Sequence, residues 1–305
     1  MIYTVTFSPA IDYVVDLDKL EIGAINRSKG EHSLPGGKGI NVSIVLSNFK
    51  TPSIATGFLG GFTGQFIEDE LDKLGVKSDF VKVDGLTRIN VKLRGKEETA
   101  INGQGPHISE ENIEELMKKL EKLNEKDLLV ISGTVPSSLP SDIYQKILER
   151  IKDNKVQVII DSNKDILLNT LKYHPLLVKP NQEELEEMFS VKINNDEELI
   201  ANAKKLLALG AKNVIVSLGK YGALLVNHEV SILSGCPDGK VVNTVGAGDS
   251  LVAGFIDEYI KTGNIVMAFY KGIATGSASA FSEGLAKEEE VEALLHKLED
   301  WKGAR

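Results

Sequence analysis

Val242-Asn243-Thr244-Val245-Gly246-Ala247-Gly248-Asp249-Ser250 decides how the rest of this 305-residue chain is read. It follows several short strand-like runs and opens a helical run carrying Leu251, Phe255, Ile256 and Tyr259. Glycines at 246 and 248 let backbone N–H groups face a shared hollow. The following helix adds its own N-terminal N–H groups and positive dipole end. Such a cradle holds anions, phosphate above all. Asp249 is the anomaly, because a carboxylate repels the ligand that the cradle attracts. Two readings stand. Asp249 takes a proton from a hydroxyl attacking phosphorus beside it, or it caps the helix, as aspartate often does.

The chain before that stretch alternates strands and helices. Ile2–Phe7 is strand-like and stops at Ser8-Pro9, and Ile11–Leu17 is a second β-rich run with Asp12 near its start. Residues 23–35, including Arg27, read as polar and irregular. Pro35-Gly36-Gly37-Lys38-Gly39-Ile40-Asn41 then leads into a helix over Val42, Val45, Leu46 and Phe49. By itself this glycine run is equally a plain turn before a helix.

Thr87–Gln104 breaks the rhythm. Ile89, Val91 and Leu93 alternate with Arg88, Asn90, Lys92 and Arg94, which is period two: a strand with one apolar and one cationic face. Gly95-Lys96-Glu97-Glu98 reads as a turn and Thr99–Asn102 as the return, so the hairpin belongs to a small separate sheet. On alternation alone the cationic face is either solvated or turned toward an anion.

From Ser109 onward the pattern is regular. Helices are expected at Ser109–Leu123 (from a capping-box start), Ser141–Lys152, Gln182–Met188, Asp196–Leu209, Val266–Phe281 and Lys287–Trp301. Strands are expected at Asp127–Ser132, Val156–Asp161, Leu176–Lys179 and Asn213–Leu218. Strands alternating with helices imply a mostly parallel sheet covered on both faces. Ligands bind beyond the C-terminal strand ends of such sheets, and Ser132-Gly133, Asp161, Lys179-Pro180-Asn181 and Ser217-Leu218-Gly219 all fall there.

Composition narrows the function. With 42% hydrophobic and 26% charged residues the chain has ample core for one large domain with an appended lid. A net charge of −9 disfavours nucleic acid and anionic membranes as partners. Cys236 is the only cysteine, which excludes an intrachain disulfide and suits a reducing compartment. No basic region precedes the first apolar run and no run is long enough to span a bilayer, so a cytoplasmic protein is expected. The five histidines show no ligand spacing. A P-loop is missing, and Gly246-Ala247-Gly248 lacks the third glycine of a dinucleotide fingerprint.

Four stretches taken together are specific: Pro35–Asn41, Lys179-Pro180-Asn181-Gln182-Glu183-Glu184, Ser217-Leu218-Gly219-Lys220-Tyr221-Gly222 and Thr244–Asp249. In this combination the chain resembles the PfkB family of ribokinase-like sugar kinases, from about Ile2 to Leu285. Gly36–Asn41 and Thr87–Lys92 are most similar to the branch that phosphorylates fructose 1-phosphate at C6. Ser8-Pro9-Ala10-Ile11-Asp12 departs from the family, which more often has Asn before Pro, but keeps the aspartate. The resemblance implies an α/β, ribokinase-like three-layer fold with a central, mostly parallel sheet and a small β-sheet lid. It implies one kinase domain over 1–305, lid segments at about 11–34 and 86–104, ATP and Mg²⁺, a small sugar-phosphate substrate, and a homodimer through the lids.

The resemblance also assigns roles. Asp249 resembles the catalytic base, and Gly246, Ala247 and Gly248 the anion hole. Asp12, Gly37, Asn41 and Asn90 are expected at the sugar; without the resemblance Asp12 reads first as a turn residue. Lys38, Arg88, Arg27 and Lys92 are expected to grip a phosphate already on the substrate, for which the forked donors of arginine are suited. Asn181 and Glu184 share a helix face and are expected to orient Mg²⁺ through water, unless Asn181 is simply a cap. Lys179, Ser217, Gly219 and Gly222 are expected at ATP phosphates or ribose. Ser277, Ala278 and Phe281 are expected at the adenine, with helix packing as the other reading. Tagatose 6-phosphate or fructose 6-phosphate is an alternative substrate, and a non-catalytic sugar-phosphate or nucleotide sensor an alternative of another class.

Overall fold

The computed structural model describes residues 1–298. Its strands are β1 (Ile2–Thr6), β2 (Ala10–Asp16), β3 (Gly30–Gly36), β4 (Ser53–Leu59), β5 (Lys77–Ser78), β6 (Val81–Lys82), β7 (Arg88–Arg94), β8 (Glu98–Asn102), β9 (Leu128–Ser132), β10 (Gln157–Asp161), β11 (Leu177–Val178), β12 (Val214–Ser217), β13 (Ala223–Val226) and β14 (Ser231–Ser234). Its α-helices are α1 (Lys38–Asn48), α2 (Gly61–Lys73), α3 (Glu110–Leu120), α4 (Ile143–Ile151), α5 (Lys164–Thr170), α6 (Gln182–Phe189), α7 (Asp196–Ala208), α8 (Ala247–Thr262), α9 (Ile265–Phe281) and α10 (Glu288–Leu295).

The large sheet runs β14-β13-β12-β11-β10-β9-β1-β4-β5, with β6 beside β4. It is parallel from β12 across to β5, and β13 and β14 add an antiparallel edge. Period two in the strands divides the core. Leu129 and Ile131 of β9 pack with α3, α4 and α7 on one face. Leu128 and Val130 pack with α1, α8 and α9 on the other. The expected three-layer, mostly parallel architecture is what forms. Among the described residues no helix is long and apolar enough to cross a membrane.

A second sheet of order β3-β2-β7-β8 stands apart. The hairpin expected over Thr87–Gln104 is β7 paired antiparallel with β8, and β2 joins β7 in parallel, Asp12 opposite Asn90. The irregular stretch expected over 23–35 is corrected in part: Gly30–Gly36 is a strand antiparallel to β2. Its sequence has no apolar alternation, and it forms because β2 has an open edge to be paired. As an edge strand itself it tolerates Pro35. The closing helix expected over Lys287–Trp301 is Glu288–Leu295 in the structure; positions from 299 onward lie outside the described residues. The hairpin β13–β14 goes beyond the sequence reading.

Candidate active site

Two helix N-termini meet at the C-terminal edge of the parallel strands. Helix α1 starts at Gly37, whose φ is +131° and whose Cβ, if it had one, would lie 2.6 Å from Thr6 Cγ2. Only glycine lets the helix begin this close to β1. Thr6 Oγ1 accepts the Ile40 N–H at 3.1 Å and fixes that approach. Helix α8 starts at Gly246, a left-handed residue with φ +80°. Ser250 N–H closes its first turn on Gly246 O at 2.8 Å. The N–H groups of Gly248 and Asp249 carry no hydrogen bond among the described residues, so they are available to an anion.

Asp249 lies inside the helix, so the cap position belongs to Gly246, which has no side chain to offer. Its carboxylate accepts a hydrogen bond from Asn41 Nδ2 at 2.7 Å. Burial, then the charge of Asp161, pushes its pKa up to about 6, against the pull of Asn41, Lys38 and Lys179. A buried carboxyl inside the helix, bonded to Asn41 and not to the helix's own N–H groups, is not placed as a cap.

Asp161, at the end of β10, is expected from sequence at the ligand edge of the sheet but given no role there. Its carboxylate takes Lys38 Nζ at 3.2 and 3.3 Å and faces Lys179 Nζ at 3.4 Å. Burial opposes its ionisation, yet the two ammonium groups hold it below the usual carboxylate range. The signal was present as a carboxylate ending a buried strand at the ligand edge of the sheet.

A cavity of about 400 Å³ opens over these groups, lined by Lys38, Asn41, Arg88, Asp161, Lys179 and Asp249, with Gly37, Gly246 and the Ser132–Thr134 edge completing it. A second cavity of about 420 Å³ lies on the other side of α8 and is lined by Ser217, Gly219, Gly222, Ala247, Ser277 and Phe281. Gly248 lines both. A Cβ there would stand 3.3 Å from Lys179 Nζ, so the ammonium sits at the junction of the two cavities rather than within the second. Ser277 Oγ is buried without a hydrogen-bond partner, an orphaned polar atom that suits a ligand group in the second cavity.

The remaining expected residues are placed as follows. Asp12, Asn90 and Lys92 cluster on the second sheet, with Asn90 Nδ2 and Lys92 Nζ donating to Asp12 at 2.9 and 2.8 Å. Asn181 and Glu184 form a reciprocal capping box at the start of α6 (2.7 and 2.8 Å), so the cap reading of Asn181 holds. Ala278 is 1% exposed and packs into the core, which is the helix-packing reading. Arg27 is exposed on the loop between β2 and β3, outside the lining of either cavity.

Residues 5–291 match the pfkB family carbohydrate kinase profile, and the chain belongs to that family. It is similar to the 1-phosphofructokinase of Bacillus subtilis, at 46% identity over 97% of each chain. It is also similar to the D-tagatose-1-phosphate kinase of Bacillus licheniformis, at 38% identity over 98% of this chain and 99% of that one. The crystal structure of Escherichia coli phosphofructokinase-2 in complex with fructose-6-phosphate matches with a TM-score of 0.91 at 26% identity, over 97% of this chain and 98% of that one. Family membership makes the chain a phosphotransferase with an alcohol acceptor.

Proposed function

We propose that the chain transfers the γ-phosphoryl group of ATP to the C6 hydroxyl of fructose 1-phosphate, forming fructose 1,6-bisphosphate. The observation that carries this is Gly248 lining both cavities, with Asp249 beside it in the first, which the cationic Arg88 also lines. Asp249 accepts the proton of the attacking hydroxyl. The N–H groups of Gly248 and Asp249 stabilise charge on the phosphoryl oxygens, and Lys179 and Lys38 supply positive charge at the same place. Asn41 keeps the base oriented. Mg²⁺ neutralises phosphate charge when bound; Glu184 would hold it through water, since no cluster of three acidic, Cys or His ligands exists among the described residues to cage the ion.

Arg88 gives the substrate phosphate its place. Its guanidinium donates to Ser8 O at 2.9 Å and to Gly103 O at 3.4 Å and makes no direct ion pair among the described residues, with Asp12 acting on it only at longer range. Charge placement alone reads a ketohexose from either end: fructose 1-phosphate accepting at C6, or fructose 6-phosphate or tagatose 6-phosphate accepting at C1. The first is favoured by the likeness of Gly36–Asn41 and Arg88–Lys92 to that branch. The relatives at 46% and 38% identity are both named for 1-phosphates, with a tagatose-6-phosphate kinase of Staphylococcus epidermidis following at 35%. A homodimer through the second sheet belongs to the same proposal.

A kinase assay on free fructose, fructose 1-phosphate, fructose 6-phosphate and tagatose 6-phosphate tests it, with fructose 1-phosphate expected to lead in kcat/KM. Arg88→Ala should remove most of its advantage over fructose, since losing a charge-assisted partner costs about 1.5–3 kcal/mol. Equal kcat/KM for fructose and fructose 1-phosphate in the unmutated enzyme would refute the phosphate site. A clear lead for tagatose 6-phosphate would keep the mechanism and change the substrate. ATP binding without turnover on any sugar would favour the sensor instead.

A further inference from the structure

The row Arg88, Asn90, Lys92 projects from one face of β7, and its three members are not equivalent. Arg88 lines the substrate cavity, and Asn90 and Lys92 follow it on the same strand face, farther along β7. Opposite them on β2 stand Ala10, Asp12 and Val14. Lys92 therefore lies one rung beyond Asp12 and leans back to reach it, Nζ to Oδ2, at 2.8 Å. Asn90 Nδ2 takes the other oxygen at 2.9 Å. The carboxyl is also pressed from the third strand: a Cβ on Gly36 would lie 2.9 Å from Asp12 Cγ. Both partners of the ion pair are largely withdrawn from solvent, their side chains 15% and 19% exposed.

A lysine in this position has a charge that is already cancelled. Arg88 meets only carbonyl oxygens and keeps its charge for an anion; Lys92 meets a carboxylate. Without Lys92, Asp12 would be a negative charge with no ion-pair partner on the sheet that carries Arg88. Held by Asn90 alone, that charge would repel a phosphorylated sugar. Asn90 Oδ1 is buried with no partner, so the amide keeps an acceptor for a ligand hydroxyl while its nitrogen holds Asp12.

We propose that Lys92 is a positioning residue: it pins and neutralises Asp12 so that the carboxylate serves a sugar hydroxyl without repelling the substrate phosphate, and it is not itself a phosphate ligand. This rests on the reading of the cavity as a hexose-phosphate site. It removes Lys92 from the cations expected at the substrate phosphate; Lys38, paired with Asp161 beside Asp249, belongs to the transferring end instead, so that grip is left to Arg88.

The test is a double-mutant cycle on Asp12→Asn and Lys92→Met, using the sugar that the unmutated enzyme phosphorylates best, with kcat and KM resolved. Lys92→Met alone should lower kcat/KM about 10- to 100-fold, the range for stranding a charged partner. Lys92→Arg, which can remake the pair, should stay within about fivefold of the unmutated enzyme, and an unaltered circular dichroism spectrum at the assay temperature in each variant shows that the fold is intact. In the Asp12→Asn background, Lys92→Met should cost less than about threefold, because there is no carboxylate left to position. A Lys92→Met loss of the same size in both backgrounds would overturn the proposal, as would an unchanged kcat/KM for Lys92→Met alone. Failure of the function reading looks different: the unmutated enzyme would then show no preference for a phosphorylated sugar, whatever the coupling between the two residues.

Discussion

Asp249 is held in a state that favours chemistry over stability. Its pKa is pushed from 3.8 up to about 6 by burial and by Asp161, so its ionised form is penalised in the folded protein. That penalty, about 3 kcal/mol at pH 8, is fully present above pH 6 and disappears as the pH falls toward 3.8. Asp249→Asn should therefore raise Tm at pH 8, with the gain shrinking below pH 6, while turnover drops about 10²- to 10⁴-fold. A lower Tm at pH 8, or near-normal turnover, contradicts this. The same shift places the acid limb of kcat/KM near pH 6, where the base takes up its proton. Asp161→Asn removes one cause of the shift and leaves Lys38 and Lys179 to favour the ionised base, so the limb should move to lower pH; a limb that moves up or stays put argues against the coupling. Sequence made Asp249 visible because its neighbours are glycines. It put Asp161 at the ligand edge but could not show its role, because that depends on two lysines that the fold brings from other elements.

Elements with a period were legible and elements without one were not. The hairpin β7–β8 announced itself by alternation, and the helices by their apolar spacing. Strand β3 has no such pattern and exists because β2 offers it an edge. The start of α6 shows a motif serving two purposes. Asn181 and Glu184 cap each other, which sequence allowed, yet Glu184 also contributes to the field at Lys38 in the substrate cavity. Glu184→Gln keeps an oxygen to accept the Asn181 N–H, so the helix end should survive and Tm should move by less than about 2 °C. The Mg²⁺ concentration for half-maximal activity should rise several-fold while KM for the sugar phosphate stays within about twofold. A sugar KM that climbs with Mg²⁺ use unaffected would put Glu184 in the wrong role. Close helix packing gives another element-scale prediction. Gly254 of α8 faces α9, and a Cβ there would lie 2.1 Å from Thr275 Oγ1. Gly254→Ala should cost about 1–3 kcal/mol and lower Tm by a few degrees. An unchanged Tm would mean that the two helices can part without penalty.

At the scale of the molecule, a single chain leaves one face of the second sheet uncovered. Ile11, at the base of that face, is packed into a core shared with α1 and α2. Farther out, Ile89 is 41% and Ile101 59% exposed, with Val91 and Leu93 half-buried beside them. Ile89 and Val91 lie on the side of β7 opposite Arg88 and Lys92, and Ile101 pairs with Val91 across the hairpin, so the exposed residues form one patch. The loop from β2 to β3 adds Ile22 at 97% and Ile25 at 90% exposure. Sequence predicted this face from alternation but could not show what covers it, because no other element among the described residues does. A small sheet with one wet apolar face is poorly stable alone, and a second copy offers the matching surface through a two-fold axis. Light scattering at micromolar concentration should therefore give twice the 33.2 kDa mass of the chain. Replacing Ile89 and Ile101 together by Glu should yield a monomer in which the large sheet, whose core lies elsewhere, stays folded by circular dichroism. Substrate affinity should fall in that monomer, because Arg88 and Asp12 ride on the sheet that has lost its cover. A monomeric mass for the unmutated protein, or full sugar affinity in the monomeric variant, would detach the lid's outer face from both assembly and function.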